Sequence, residues 1–308
     1  MTAKKLISVK NLSRHFSEHI AVDNISFELE TGDILGFLGP NGAGKSTTMQ
    51  MLSGNLAPTT GEISINGIDL FEYPKQAKSA LGYLPETPPL YKDMTVDEFL
   101  FYCAKLHRIK KSDIKNRLLT TLQRCGLLEV RKRLIGNLSK GYQQRIGIAQ
   151  AIFHSPPVII LDEPTVGLDP IQILEIRALI KELGKNHGII LCSHILPEVQ
   201  AVCNRVQIIN HGVLAFESSM DALQQQNIDW FEASFKHTPD LSSITALDNI
   251  HHAEKIGLHD YLIQSSLQDE QLCEKLVQQS WGLTRFNRHQ QSLEQIFTEL
   301  TLAEEEHA

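Results

Sequence analysis

The sequence predicts an α/β fold with a mostly parallel core sheet, joined by an antiparallel β subdomain, a helical subdomain and a small C-terminal α+β appendage. Three observations carry this prediction. From Val158 onward, strand-sized apolar runs alternate with helix-sized amphipathic ones: "VIIL", residues 170–183, "GIILC" and residues 196–203. That alternation belongs to a parallel, doubly wound sheet. Earlier, "GEISINGIDL" places alternating apolar positions around Asn66-Gly67, a hairpin turn signal, so an antiparallel part is interleaved with the α/β part. Between them, residues 95–152 read as helical and open on Thr95-Val96-Asp97-Glu98, the spacing of a capping box.

Taken in order, residues 5–11, 21–29 and 34–38 read as strands, the last ending in glycines, and residues 45–53 as a helix. The hairpin and the helical insert follow, the latter at about 87–152. After residue 220 the texture changes to a Gln-rich helix, then short strands in "DWFEASF" and "YLIQSS", then helices at 270–279 and 292–300. The expected domains are therefore 5–220 and 221–308. No internal repeat is visible.

Composition narrows the function. The chain has 308 residues, 42% of them hydrophobic and 21% charged, and a net charge of −7. Those proportions are those of a globular protein, and the acidic balance opposes general attraction to nucleic acid, so no nucleic acid partner is expected. "MTAKKLISVK" lacks the apolar stretch of a signal peptide. The longest apolar runs are strand-sized, far short of the roughly 20 residues of a spanning helix. The expectation is a cytoplasmic chain whose membrane role, if any, goes through a partner. The five cysteines are scattered without CxxC pairing and read as reduced, structural thiols. His15 with His19, and His251 with His252, read as surface histidines, since the pattern around His15 is that of a strand and turn.

"GPNGAGKST" comprises Gly39, Pro40, Asn41, Gly42, Ala43, Gly44, Lys45, Ser46 and Thr47, and stands between an apolar strand and a helix. This is the context that G-x-x-x-x-G-K-[ST] requires. Glycines let backbone N–H groups turn inward around phosphate oxygens, and the helix N-terminus adds a favourable partial charge. Lys45 supplies a full charge to the β and γ phosphates, and the Ser46 hydroxyl is placed to ligate Mg²⁺. "VIILDEP" adds Asp162 and Glu163 at the C-terminal end of a buried strand, where ligands sit in open α/β sheets. Asp162 can hold the magnesium through water, and Glu163 can polarise an attacking water.

A second anion-binding turn, "LSKGYQQR", lies some twenty residues before "VIILDEPTVGLDP". The order and spacing of these motifs resemble the ATP-binding cassette (ABC) family of P-loop NTPases over about residues 5–220. The resemblance implies the cofactors ATP and Mg²⁺, with ATP hydrolysis coupled to transport. It also implies that Ser139 and Gly141 cap the ATP held by the phosphate loop of a second cassette. By the same resemblance Phe16 stacks on adenine, a core phenylalanine being the alternative. Glu86 reaches the metal, His194 contacts the γ-phosphate, and Asp169 lies at the dimer seam.

Three positions depart from the wider family. Glu86 stands where glutamine is common, Lys140 where glycine is usual and Tyr142 where glutamine is usual. Lys140 either attracts the facing ATP or points to solvent. With "YLPE", "PTVGLDPIQILEIRALIKELG" and "LEQIFTELT", these resemble the ATPase subunits of ABC-2 type exporters. Such subunits are separate chains bound to the cytosolic face of the bacterial inner membrane through membrane-spanning permease partners. The alternative is a soluble cassette ATPase acting on ribosomes or DNA.

Overall fold

The computed structural model describes residues 4–17, 19–225, 230–289 and 293–302. The chain divides into two compact units, one running to Ser218 and resumed from Glu299, the other Ser219–Thr298.

The first unit opens with β1 (Lys5–Phe16) and β2 (His19–Glu30), an antiparallel pair longer than the sequence suggested. β3 (Ile34–Leu38) leads through the glycine loop into α1 (Lys45–Leu52). β4 (Thr60–Ile65) and β5 (Ile68–Asp69) form the hairpin at Asn66-Gly67, both with φ in the left-handed range, as that turn demands. α2 (Pro74–Ser79) and β6 (Leu81–Leu84) follow, then α3 (Val96–Leu106), α4 (Lys111–Arg124) and α5 (Lys140–Ile152). The remainder is β7 (Val158–Asp162), α6 (Pro170–Gly184), β8 (Gly188–Cys192), α7 (Leu196–Val202), β9 (Arg205–Asn210) and β10 (Val213–Ser219).

Two sheets result, of order β2-β1-β4-β5 and β10-β9-β3-β8-β7-β6. In the second, β3 lies parallel to β8 and β9, with Phe37 beside both Cys192 and Gln207. Every residue of β3, β7 and β8 is buried. Such strands must be apolar on both faces, which is why they read as continuous hydrophobic runs. One core cluster joins the sheets, with Phe27 against Phe37 and Met49 and Met51 of α1 packed among them.

The helical part begins as expected: Thr95 Oγ1 accepts from Glu98 N–H at 3.3 Å while Glu98 returns a carboxylate oxygen to Thr95 N–H at 2.8 Å. It is not continuous helix. Residues 125–139 form two 3₁₀ turns, Leu128–Val130 and Ile135–Asn137, because Gly126 takes a φ of 64° and ends α4. Among the described residues, no helix is long and apolar enough to cross a membrane. All five cysteines are free thiols; four are buried, and burial pushes Cys103 up to about 11 and Cys125 up to about 12.

The second unit carries α8 (Met220–Gln225), β11 (Trp230–Phe235), α9 (Leu241–Thr245), β12 (Ile250–Lys255), β13 (Asp260–Ser265), α10 (Asp269–Val277) and β14 (Leu283–Arg288), and its boundary at Thr298 falls within α11 (Leu293–Leu302). The order β12-β13-β11-β14, with α9 and α10 as the two crossovers, is the ferredoxin-like split βαβ arrangement. Phe231, Phe235, Tyr261 and Ile263 point to one face and pack with Ile244, Leu272 and Leu276 of the helices. The sequence indicated β11, β13 and α10. It missed β12 and β14 because both are edge strands with mostly polar, exposed residues. Asp229 and Ser292, at the starts of two expected elements, lie outside the described residues.

Candidate nucleotide site

The phosphate loop is shaped by glycine at two positions. Gly42 has a φ of 84° and Gly44 a φ of 106°. A Cβ on Gly44 would also stand 2.4 Å from the Ala21 carbonyl oxygen, so strand β2 presses directly on the loop. Gly44 leads into α1, whose first residue, Lys45, is buried. The Lys45 ammonium donates to the carbonyls of Gly39 at 2.7 Å and Pro40 at 2.9 Å. It is thus held inside the loop, where phosphate oxygens would exchange for those carbonyls.

A cavity of about 540 Å³ opens on this loop. Asn41, Gly42, Gly44, Lys45, Ser46 and Thr47 line it from the loop; Glu86, Asp162, Glu163 and His194 line it from other elements. Phe16 lines it as well and is 41% exposed, with the Arg14 guanidinium 4.5 Å from the ring centroid. Phe16 is therefore not a core phenylalanine. Gly39, Pro40 and Ala43 complete the loop, with Ala43 buried.

Asp162 ends β7 and is buried. Burial raises its carboxyl above the usual range, with Glu163 and Glu86 adding to the rise, while a bond from Cys192 and the charge of Lys45 oppose it. Glu163 has a φ of 48°, a left-handed conformation costly for a side chain that is not glycine. Its N–H donates to Cys192 O at 2.9 Å, which holds that turn. Glu163 Oε1 lies 2.7 Å from His194 Nδ1, and Ser193 Oγ lies 3.5 Å from Oε2. Acid and histidine thus come from neighbouring strands β7 and β8 and meet at their C-terminal ends.

The second anion-binding turn is built differently. Ser139 caps α5, its Oγ accepting from Tyr142 N–H at 3.5 Å. Gly141 is buried beneath the Gln172 side chain, whose Oε1 would be 2.3 Å from an added Cβ. Asp169 caps α6, accepting from Gln172 N–H at 2.9 Å. Lys140 is exposed, with its ammonium beside Gly167 of the same chain. Ser139, Gly141 and Asp169 do not line the cavity. The two turns therefore stand at separate places on the chain.

Sequence reading missed His19 and Ala21, which line the cavity from β2, and Cys192, which it took as only structural. His19 pairs with Phe16 across the β1–β2 turn, so the two share one surface location. A hairpin between residues 16 and 19 was the signal to find it. The oxygen donors Ser46, Glu86 and Asp162 share the cavity, a donor set that suits a hard cation such as Mg²⁺. Such an ion takes most of its ligands from phosphate and water, so this sparse protein contribution fits it.

A loop of this shape between β3 and α1, with paired acids at the end of β7, defines a phosphate-loop nucleoside triphosphatase. Residues 22–166 match the family described as ABC transporter. The chain is 38% identical over 258 residues to the bacitracin transport ATP-binding protein of Bacillus licheniformis, covering 83% of this chain and 81% of that one. It is 29% identical to the linearmycin resistance ATP-binding protein of Bacillus subtilis, covering 96% and 98%. Among solved structures, the ATP-binding subunit of an ABC transporter superposes with a TM-score of 0.66 at 32% identity, over 72% of this chain and 92% of that one. The chain belongs to the ABC transporter family, as an ATP-binding subunit and an ATPase.

Proposed function

We propose that the chain is the motor subunit of an ABC-2 type exporter, closing head-to-tail with a second cassette on two MgATP and driving a membrane-spanning permease from the cytosolic face of the inner membrane. The observation that carries this is the separation of the half-sites. One surface holds Lys45, Asp162, Glu163 and His194 in a single cavity, and another holds Ser139 and Gly141 outside it. Two complementary surfaces on one chain call for a second chain. The relatives named for bacitracin transport and linearmycin resistance support efflux.

In this reading Lys45 leaves the Gly39 and Pro40 carbonyls for phosphate oxygens. Ser46, Glu86 and Asp162 would hold Mg²⁺, which would neutralise charge developing on the phosphates. Glu163 accepts the proton of the attacking water. His194 faces Glu163 through Nδ1, which leaves Nε2 as the nitrogen that meets a γ-phosphate oxygen. Asp169 stands at the seam, and Phe16 offers its free ring face to adenine. The helical insert after Glu86 transmits the state of the site. Its Tyr91, Phe101, Tyr102 and Leu106 are exposed. Those apolar residues are the proposed permease contact.

The test is Glu163→Gln. It is expected to keep ATP binding, to slow turnover by about 10²–10⁴-fold, the scale of a lost general base, and to trap an ATP-dependent dimer in size-exclusion chromatography. Hydrolysis at the wild-type rate would reject Glu163 as the base.

A further inference from the structure

Beyond His194 the chain holds a buried polar pair that the reading above does not use. Ser193 is fully buried and Glu198, in the first turn of α7, is 2% exposed. The Ser193 hydroxyl oxygen accepts Ile195 N–H at 3.1 Å, which fixes it in the turn between β8 and α7. It lies 3.4 Å from Glu198 Oε2 and 3.5 Å from Glu163 Oε2. The other Glu198 oxygen is buried and has no hydrogen-bond partner among the described residues. A buried carboxyl group is costly unless it is hydrogen-bonded, and among the described residues Ser193 is the hydrogen-bond partner this one has.

A serine hydroxyl has one hydrogen. Here it faces two carboxylates at nearly equal range, so only one of them can receive it. We infer that Glu198 is a positioning residue for Glu163: it draws the Ser193 hydrogen to itself and so leaves Glu163 Oε2 with its lone pairs available to the attacking water. Glu163 Oε1 is already taken by His194, so Oε2 is the oxygen on which this matters. Without Glu198 the Ser193 hydrogen turns to Glu163 Oε2. A hydrogen bond to that oxygen lowers its capacity to take a proton and fixes the carboxylate away from water. The inference rests on Glu163 being the base.

The experiment is steady-state ATP hydrolysis and nucleotide titration on the full chain. Glu198→Ala is expected to lower kcat about tenfold with KM and ATP affinity unchanged, the scale of a small misplacement at a reacting group. Because the harm is done by the Ser193 hydrogen, Ser193→Ala is expected to suppress it: the double variant should turn over as fast as Ser193→Ala alone. Glu198→Gln keeps an oxygen for the hydroxyl and should recover most of the wild-type kcat. A role for Glu198 in packing alone gives the opposite pattern. Glu198→Ala then costs the same factor in both backgrounds, or Glu198→Gln is as slow as Glu198→Ala, and either result overturns the inference. Should Glu198→Ala not fold, Glu198→Met fills the same volume without an oxygen and is read the same way. Glu163→Gln in the same assay separates the two layers. Turnover retained there rejects the base itself; turnover lost there, with no suppression by Ser193→Ala, rejects only the positioning role.

Discussion

The two anion-binding turns of this chain use the same backbone device and differ in everything around it. Both present a helix N-terminus, capped by Gly44 in the first and by Ser139 in the second, so both offer N–H donors to an anion. At Gly39–Thr47 the turn is closed in by β2, carries the buried ammonium of Lys45 and faces three acids. At Ser139–Gly141 the turn is exposed at Ser139 and Lys140, its cap bond is long at 3.5 Å, and the acid nearest in the chain's logic, Asp169, caps its own helix instead. The first is organised to hold a triphosphate within one chain. The second has donors without a buried charge, which under the proposed function suffice to complete a site that a second cassette has already filled. The proposed function thus assigns affinity to one turn and closure to the other.

Lys45→Ala breaks this division most severely. It removes an ammonium that makes two charge-assisted hydrogen bonds, each worth roughly 1.5–3 kcal/mol. ATP affinity of the isolated chain is expected to fall about a hundredfold or more on that basis, with hydrolysis lost as well. A fluorescent-nucleotide titration reads the first and phosphate release the second. Ser139→Arg is the counterpart. It places a bulky side chain on the exposed turn and leaves the cavity untouched, so monomer ATP binding should be unchanged while ATP-dependent dimerisation and turnover disappear. Loss of monomer affinity in Ser139→Arg would merge the two turns into one site and end the comparison.

How much of this was legible in the sequence depends on what phosphate chemistry demands of particular residues. Gly42, Gly44 and Lys45 could be read because few other residues satisfy a positive φ, a close backbone approach and a charge at that spacing. The buried strands β3, β7 and β8 were equally plain, being apolar on both faces. Asp162 and Glu163 followed from their place after such a strand. The edge strands β12 and β14 were not legible, since a half-solvated edge carries no clear apolar signal, and the ferredoxin-like strand order depends on them. Nor were the contacts of Lys140 with Gly167 and of Ser193 with Glu198. Each joins residues whose meeting is set by how loops fold back, and neither side chain is unusual for its position.

Smaller effects sharpen the same contrast through its glycines. Gly44→Ala meets the Ala21 carbonyl and a φ of 106°, neither of which can yield, and should cost about 1–3 kcal/mol of stability. Gly141→Ala meets the end of the Gln172 side chain, which can swing aside, and it lies in a helix where alanine is favoured by up to about 1 kcal/mol. Its melting temperature should therefore change little, while its dimerisation should weaken. Thermal melts of the two variants give the first comparison, and equal losses would mean that the second turn is as tightly built as the first.

The smallest expected effect concerns the connection between the turns. α5 starts at the second turn and runs toward His154, whose Nε2 bonds the Leu81 carbonyl of β6 at 3.1 Å and whose ring stacks on His107 with centroids 3.9 Å apart. Burial pushes the His154 imidazole down to about 4 from about 6.5, with His107 adding to the shift. Its folded value lies below its unfolded one, so the unfolded chain binds more protons between about pH 4 and 6.5. Stability is then complete above that window and falls as pH drops through it, by at most roughly 1.4 kcal/mol per pH unit from this group. His154→Gln keeps a donor for the Leu81 carbonyl and removes the titration. Urea unfolding of both proteins at pH 5 and pH 7.5 should show a shallower acid loss in the variant. Equal losses would show that His154 titrates as a free histidine, and α5 would then be joined to the sheet by packing without this buried bond.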